Sequence, residues 1–141
     1  MLGKAIAIAS AAFENKVDKS GKPYILHCLR VMNSVKHLGE EVMTIAVLHD
    51  LVEDCKEWSY DNFIKEKFNQ RVTWGVMCMT HDPEDSYDEY IKKIALNEDA
   101  RQVKMADLKD NSDITRLKGL TKKDLDRIEK YHRAYEYLKK I

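Results

Sequence analysis

The chain has 141 residues, long enough for one domain with a single sizeable core. Its 24 basic residues balance 24 acidic ones, which argues against a dedicated nucleic-acid binder, because such proteins carry a basic excess or a basic face. No apolar run approaches the roughly 18–20 residues that cross a bilayer, so we expect no membrane partner.

The N-terminus and the cysteines bear on where the protein works. The first nine residues resemble a short signal peptide but lack a basic region before the apolar part, so we favour a first amphipathic helix. Cys28, Cys55 and Cys78 are odd in number and far apart, which fits neither a disulfide framework nor a CxxC zinc site. We expect reduced thiols in a cytoplasmic protein.

The rest of the chain predicts an all-α fold, because it has only two prolines, five glycines and no useful strand alternation. The predicted helices cover residues 2 to about 16, 23 to about 37, 40 to about 55, a short stretch from 59, 70–80, 86–96, 99 to about 112, and a last helix from 121. Trp58 and Trp74 lie at helical spacing and are expected in or beside the core, and Leu96 is expected on the helix that begins at Ser86. We predict a compact bundle of seven or eight helices that forms a single domain over residues 1–141.

One stretch, residues 46–54, combines an apolar run with four titratable groups. On a continuous α-helix His49 and Glu53 are i,i+4 neighbours, as are Asp50 and Asp54. These groups would share one flank while the apolar residues pack on the other. Carboxylates held close together and away from water repel each other, and a divalent metal ion is the simplest way to compensate them.

Further candidate ligands lie on other predicted helices, so the complete set is His27, His49, Asp50 and Asp107. Two imidazoles and two carboxylates suit Mn²⁺, Fe²⁺, Co²⁺, Ni²⁺ or Zn²⁺ in an open site better than Ca²⁺ or Mg²⁺. Taken singly, His27 is more often a hydrogen-bonded core residue and Asp107 a cap or salt-bridge partner. The prediction therefore depends on the joint pattern. An open coordination position would leave room for a water whose pKa the metal lowers.

The pattern His…His-Asp…Asp resembles the signature of HD-domain metal-dependent phosphohydrolases. Three segments resemble narrower motifs of the hydrolase domain of RelA/SpoT-type enzymes: residues 20–27 (SGKPYILH), 49–54 (HDLVED) and 103–111 (VKMADLKDN). The resemblance covers residues 13 to about 115 in the expected order. The length suits the stand-alone small alarmone hydrolases of the animal type.

This resemblance implies a Mn²⁺-dependent enzyme that removes the 3′-diphosphate from guanosine tetra- or pentaphosphate, with another divalent transition metal as an alternative ion. The implied metal ligands are His27, His49, Asp50 and Asp107. Glu53 would orient or deprotonate the attacking water with support from Asp54, and Asn111 would hold the water or the phosphate. Asp54 is equally a candidate partner for a histidine ligand, whose tautomer it would set.

The sequence also offers candidates for the substrate side of the site. Lys19, Lys22 and Lys104 are candidates for phosphate contacts on the rim, and Ser20 and Tyr24 for the lining of the substrate site. The nucleotide substrate is the partner that the resemblance implies. The sequence makes no prediction of the oligomeric state.

Several residues depart from the RelA/SpoT pattern: Asp18 replaces an arginine that packs on the guanine base, and Phe13, Lys16, Cys28 and Asp110 also differ. Two alternatives therefore stay open. The first is an HD-type phosphomonoesterase or pyrophosphatase acting on another nucleotide. The second is a metal-stabilised protein that binds a nucleotide without hydrolysing it.

Overall fold

The computed structural model describes residues 1–141 and contains nine α-helical segments. They are α1 (Leu2–Ala12), α2 (Ile25–Ser34), α3 (Glu40–Leu48), α4 (Leu51–Asp54), α5 (Tyr60–Lys65), α6 (Gln70–Met79), α7 (Tyr87–Ile94), α8 (Glu98–Asn111) and α9 (Lys122–Lys139). Two 3₁₀ turns lie at Lys36–Leu38 and Ile114–Arg116, and Val17 and Pro23 form an isolated β-bridge. Because α4 is a single turn, eight longer helices remain, which confirms the predicted all-α bundle of seven or eight helices.

Helix α3 lies in the middle of the bundle and packs against α1, α2, α6 and α8. Six of its nine residues are buried: Val42, Thr44, Ile45, Ala46, Val47 and Leu48. They belong to or border a contiguous core of 27 buried apolar residues drawn from most of the helices. An apolar helix that is covered on nearly all sides is expected to be a rigid support. The His-Asp pair follows directly at its C-terminal end.

Helix starts follow the predicted capping signals. Ser86 and Thr121 each form a capping box, in which the side chain accepts from the N3 backbone and the N3 side chain accepts from the N-cap backbone. At Ser59 the backbone N–H and the hydroxyl both donate to Asn62 Oδ1 at the N3 position. Gly39 precedes α3 with φ of 99°, a left-handed conformation that glycine adopts without steric cost. These caps account for the accuracy of the predicted starts at residues 59, 86 and 121.

Other predicted boundaries and burials were wrong. Helix α1 ends at Ala12 instead of about residue 16. The chain turns back after Phe13, and the ring of Tyr24 packs against that of Phe13. Trp74 is 58% exposed, since the buried face of α6 is formed by its neighbours Val72, Thr73, Gly75, Val76 and Met79. Leu96 is 88% exposed because α7 ends at Ile94, so helical spacing no longer applies to it.

The predicted continuous helix over residues 40 to 55 is also interrupted. Helix α3 ends at Leu48, and Asp50, with φ of −97° and ψ of 0°, has left the helical conformation before α4 begins at Leu51. The backbone N–H of Asp54 then donates to the Asp50 carbonyl, which restarts the helical hydrogen bonds. The His-Asp pair therefore lies at a junction between two helices.

Two further findings concern membrane-spanning helices and the thiols. None of the helices is both long and apolar enough to cross a membrane. All three cysteines are free, with Cys28 and Cys55 buried and Cys78 partly buried, as predicted.

Candidate metal centre and substrate cavity

Four side chains from three helical regions converge in the interior. His27 comes from α2, His49 and Asp50 from the junction after α3, and Asp107 from α8. One ligand atom from each lies within 4.8 Å of all the others. The His49 Nε2 atom is 3.0 Å from Asp50 Oδ2 and 3.2 Å from Asp107 Oδ1. The four predicted ligands thus form one compact cluster.

Both imidazoles are oriented by a contact on their outer nitrogen. His27 Nδ1 lies 2.6 Å from Asp110 Oδ2, and His49 Nδ1 lies 2.6 Å from the Ala46 carbonyl oxygen. Since a carbonyl oxygen only accepts, His49 Nδ1 must carry the proton in that bond. When the rings are neutral, as metal binding requires, the inner Nε2 atoms carry the lone pairs, which are directed into the cluster.

This arrangement fits a divalent cation. His27 is 2% exposed, and its Nε2 has no hydrogen-bond partner although Asp107 Oδ1 is only 3.0 Å away. A lone pair and a carboxylate oxygen at that distance repel each other unless a proton or a metal cation lies between them. The carboxylates of Asp50 and Asp107 raise the pKa of His49 well above its ordinary value, outweighing the opposite effect of its burial. The cluster therefore favours positive charge.

The two carboxylates are held by further contacts. The Tyr24 hydroxyl donates to Asp50 Oδ2, and Asn111 Nδ2 donates to Asp107 Oδ1 at 3.1 Å. Lys104 Nζ lies 2.9 Å from Asp107 Oδ2 and its side chain is only 11% exposed. The prediction that Lys104 lies on the rim was therefore wrong, because i,i+3 spacing on α8 places it against Asp107 in the interior.

The two acids of α4 have different surroundings. Glu53 Oε1 accepts a hydrogen bond from the backbone N–H of His81, and desolvation raises the pKa of its carboxyl. Asp54 Oδ2 lies 2.6 Å from Lys16 Nζ, so its partner is a lysine and not a histidine ligand. Lys16 Nζ also lies 4.1 Å from the centre of the Tyr24 ring. Asp54 thus orders the lysine that covers Tyr24.

Asp110, which the sequence marked only as a departure from the family pattern, is the carboxylate that contacts the outer nitrogen of His27. Arg30 Nε and Nη2 donate to its two oxygens at 2.8 and 3.2 Å, and Arg116 Nη1 lies 3.4 Å away. Burial alone would raise the pKa of Asp110, but the hydrogen bonds from His27 and Arg30 outweigh it and lower the pKa to about 2. Its i,i+3 spacing from Asp107 is the signal that could have identified it.

A cavity of about 400 Å³ opens beside His27. Its lining includes five residues that the sequence predicted for the site: Lys19, Ser20, Tyr24, His27 and Asn111. It also includes cations that were not predicted there: Lys16, Arg116 and Arg127. Lys22, Glu53 and Asp54 lie outside this lining. Asp18 and Asp113 are the acids of the same lining, so its four lysines and arginines leave an excess of positive charge. This excess suits an anionic ligand that reaches the cluster at His27.

Asp18, which stands where the family has a base-packing arginine, supports the cavity wall. Its Oδ1 accepts from the backbone N–H of Ser20 at 2.9 Å, from the Ser20 hydroxyl at 2.6 Å and from the Lys22 N–H at 3.0 Å. Its Oδ2 lies 3.9 Å from Arg116 Nη1. Asp18 therefore closes the 18–22 loop and offers no flat surface for a base.

The all-α fold and its buried His, His-Asp and Asp cluster define the class of protein. Residues 5–106 match the family model described as HD domain, and the chain belongs to this family. In an alignment of 118 residues that covers 77% of this chain, it is 38% identical to the guanosine-3′,5′-bis(diphosphate) 3′-pyrophosphohydrolase of Aquifex aeolicus (strain VF5). It is also 40% identical over 53 residues, 36% of its length, to a probable GTP pyrophosphokinase of Mycobacterium leprae (strain TN). The chain spans only 17% and 7% of these two relatives.

Proposed function

We propose that the chain is a metal-dependent pyrophosphohydrolase that converts guanosine 3′,5′-bis(diphosphate) and water into GDP and pyrophosphate. The observation that carries this proposal is the convergence of His27, His49, Asp50 and Asp107 beside a cavity rich in cations. The similarity to the Aquifex relative, whose name states this reaction, supports the choice of substrate.

His27, His49, Asp50 and Asp107 would hold the ion, and their mixed nitrogen and oxygen ligands suit Mn²⁺ or a related divalent transition metal. When bound, the ion supplies positive charge that lowers the pKa of water and offsets the charge of a phosphoryl group. Tyr24 and Asn111 keep the two carboxylates directed into the cluster, through the hydrogen bonds they donate. Asn111 also lines the cavity, where its amide is available to the substrate phosphate.

Glu53 is the proposed base that takes the proton of the attacking water. Its raised pKa brings it nearer to neutrality, where a general base is most effective. The His81 N–H holds one of its oxygens and leaves the other for the water. Asp54 supports this side of the site indirectly, because it fixes Lys16 beside the cavity.

The cavity would bind the phosphates through Lys19, Arg116 and Arg127. Ser20 and Tyr24 contribute polar groups to its wall. We infer that residues 1–141 act as one HD-type hydrolase domain in the cytoplasm on a small-molecule nucleotide, without a nucleic-acid or membrane partner. The free thiols and the balanced charge support this inference.

One observation favours a second candidate function. Asp18 binds its own loop and cannot stack on guanine, so base recognition differs from the pattern that the RelA/SpoT resemblance implies. The second candidate is an HD-type phosphomonoesterase or pyrophosphatase that acts on another nucleotide with the same metal cluster.

The test is incubation of the Mn²⁺-loaded protein with a panel of nucleotides, including guanosine 3′,5′-bis(diphosphate), GTP and nucleoside monophosphates. We expect GDP and pyrophosphate from the first compound. Orthophosphate from monophosphates, or pyrophosphate from another nucleotide only, would support the second candidate. Tight nucleotide binding without any product would indicate a binding protein and contradict both enzymatic functions.

A further inference from the structure

We propose that Asp110 is a positioning residue for His27: its carboxylate holds the Nδ1 proton and thereby directs the Nε2 lone pair of His27 at the bound metal ion. This inference rests on the metal-binding role that the proposed function assigns to His27. Asp110 itself would not contact the ion, because its contacts are with the outer nitrogen of the ring and with two arginines.

The geometry of the imidazole carries the first step. A neutral imidazole carries one N–H proton, either on Nδ1 or on Nε2. A hydrogen-bond acceptor beside one of the two nitrogens favours the tautomer with the proton on that nitrogen. Asp110 Oδ2 lies 2.6 Å from Nδ1 of His27, and the ring is 2% exposed, so no bulk water competes for that nitrogen. Asp107 Oδ1 lies farther away, 3.0 Å from Nε2, so the shorter contact favours the proton of the neutral ring at Nδ1. The Nε2 atom then keeps its lone pair for a cation.

A comparison within the site gives the second step. His49 uses a neutral backbone carbonyl, that of Ala46, for the same purpose. His27 instead uses a charged carboxylate, which makes the imidazole a stronger ligand as well as orienting it. The two histidines should thus bind a metal ion with different strength. Only for His27 is that strength set by a side chain, that of Asp110, which can be changed by mutation.

The third step concerns how Asp110 is held. Arg30 lies one helical turn after His27 on α2 and binds both carboxylate oxygens, at 2.8 and 3.2 Å. Arg116 donates to the Asp110 backbone carbonyl at 2.5 Å and lies 3.4 Å from Oδ2. With both oxygens bound, the carboxylate cannot rotate away from Nδ1. The orientation of His27 is therefore built into the contact between α2 and α8.

A purely structural role is the competing explanation, since an arginine–carboxylate pair can simply join two helices. The chain offers a matched control on the same helix. Asp99 of α8 receives hydrogen bonds from Arg71 Nε and Nη2 at 2.7 and 3.0 Å, and no histidine contacts it. Asp99→Ala therefore removes a similar pair without affecting the cluster.

The experiment is calorimetric titration of the metal-free full chain with Mn²⁺, without any nucleotide. We expect Asp110→Ala to weaken Mn²⁺ binding by about 10–100-fold, the usual cost of removing such a partner. Asp110→Asn keeps an oxygen that accepts from Nδ1 and should restore most of the affinity, to within about tenfold of wild type. Asp99→Ala should bind Mn²⁺ as the wild type does.

The second readout is the ¹⁵N NMR spectrum of the His27 ring in the metal-free protein, at a pH where the imidazole is neutral. We expect the proton at Nδ1 in the wild type and in Asp110→Asn, and at Nε2 in a substantial fraction of Asp110→Ala. A structural role alone would not change this distribution.

Four outcomes would overturn the inference. They are an Asp110→Ala affinity within about twofold of wild type, an equal loss in Asp99→Ala, an unchanged tautomer in Asp110→Ala, and no Mn²⁺ binding by the wild type. The last outcome would also refute the proposed metal site. Normal Mn²⁺ binding without hydrolysis would refute the proposed reaction alone. If Asp110→Ala does not fold, Asp110→Asn decides: Nδ1 protonation must persist, and a shift of the proton to Nε2 would overturn the inference.

Discussion

At the scale of single residues, the chemistry of the site depends on which atom of each side chain faces inward. The sequence predicted His27, His49, Asp50 and Asp107 from their positions inside apolar segments, and the structure brings these four together. It did not predict Asp110 as a site residue, because the partner of a histidine nitrogen is set by side-chain packing between α2 and α8. Motif spacing identifies residues that share a helix face, whereas contacts across helices require the fold.

Glu53→Gln tests the proposed base. Glutamine keeps the size and the oxygen that accepts from the His81 N–H, but it cannot take a proton from water. We expect kcat with guanosine 3′,5′-bis(diphosphate) to fall by about 10²–10⁴-fold, while the affinity for Mn²⁺ stays near that of the wild type. Steady-state kinetics and calorimetric titration measure the two quantities. Near-normal kcat would show that Glu53 is not the base.

The pH dependence gives a control for the same residue. A base must be ionised to act, so kcat should fall as the pH falls through the pKa of Glu53. Because desolvation raises this pKa, the decline should begin above the ordinary glutamate value of about 4.3. The acidic limb should disappear from the residual activity of Glu53→Gln. An unchanged limb in that variant would assign it to another group.

At the scale of helices, the junction between α3 and α4 is the feature that sequence patterns missed. The apolar run before His49 and the acids after it fit one continuous helix, and the break at Asp50 depends on backbone dihedrals that these patterns do not specify. The break matters because α3 is buried and fixed, whereas Glu53 and Asp54 follow on a separate turn. The His-Asp pair at the end of α3 and the two acids of α4 can therefore point in different directions.

The contact between α3 and α6 should be sensitive to the size of residue 75. A Cβ atom on Gly75 would lie 2.4 Å from Ile45 Cδ1, so Gly75→Ala must displace a core residue of α3, the helix that directly precedes the His-Asp pair. We expect a loss of about 1–3 kcal/mol in the free energy of unfolding, measured by urea denaturation. Gly3→Ala is the control, because nothing lies within 4 Å of its added Cβ. Equal stabilities of both variants would contradict this packing.

At the scale of the whole molecule, the bundle was predictable because its helix starts have capping sequences and its core has helical periodicity. The exposed positions of Trp74 and Leu96 were not predictable, since periodicity does not show which neighbouring helices cover a helix face. The cavity proposed to bind the substrate has a lining that was predicted only in part. Its lining joins residues near 16–27, 111–117 and 127–131, and only the folded chain brings Arg116 and Arg127 to the 18–22 loop.

Metal binding should stabilise the whole fold, because the proposed ligands come from α2, α8 and the junction after α3. An ion that binds the folded chain alone, at 100 times its Kd, adds about 2.7 kcal/mol. We expect Mn²⁺ to raise Tm by several degrees and a chelator to reverse the change. His49→Ala should abolish the response by losing metal binding. A Tm that Mn²⁺ leaves unchanged in the wild type would contradict the proposed metal site.

The most direct test of the central claim is the rate of pyrophosphate release from guanosine 3′,5′-bis(diphosphate), measured while metal-free protein is titrated with Mn²⁺. The proposed single cluster predicts a rate that rises in proportion to occupancy and reaches a plateau at one ion per chain, with GDP and pyrophosphate formed in equal amounts. Hydrolysis by the metal-free protein, or no pyrophosphate at full occupancy, would contradict it.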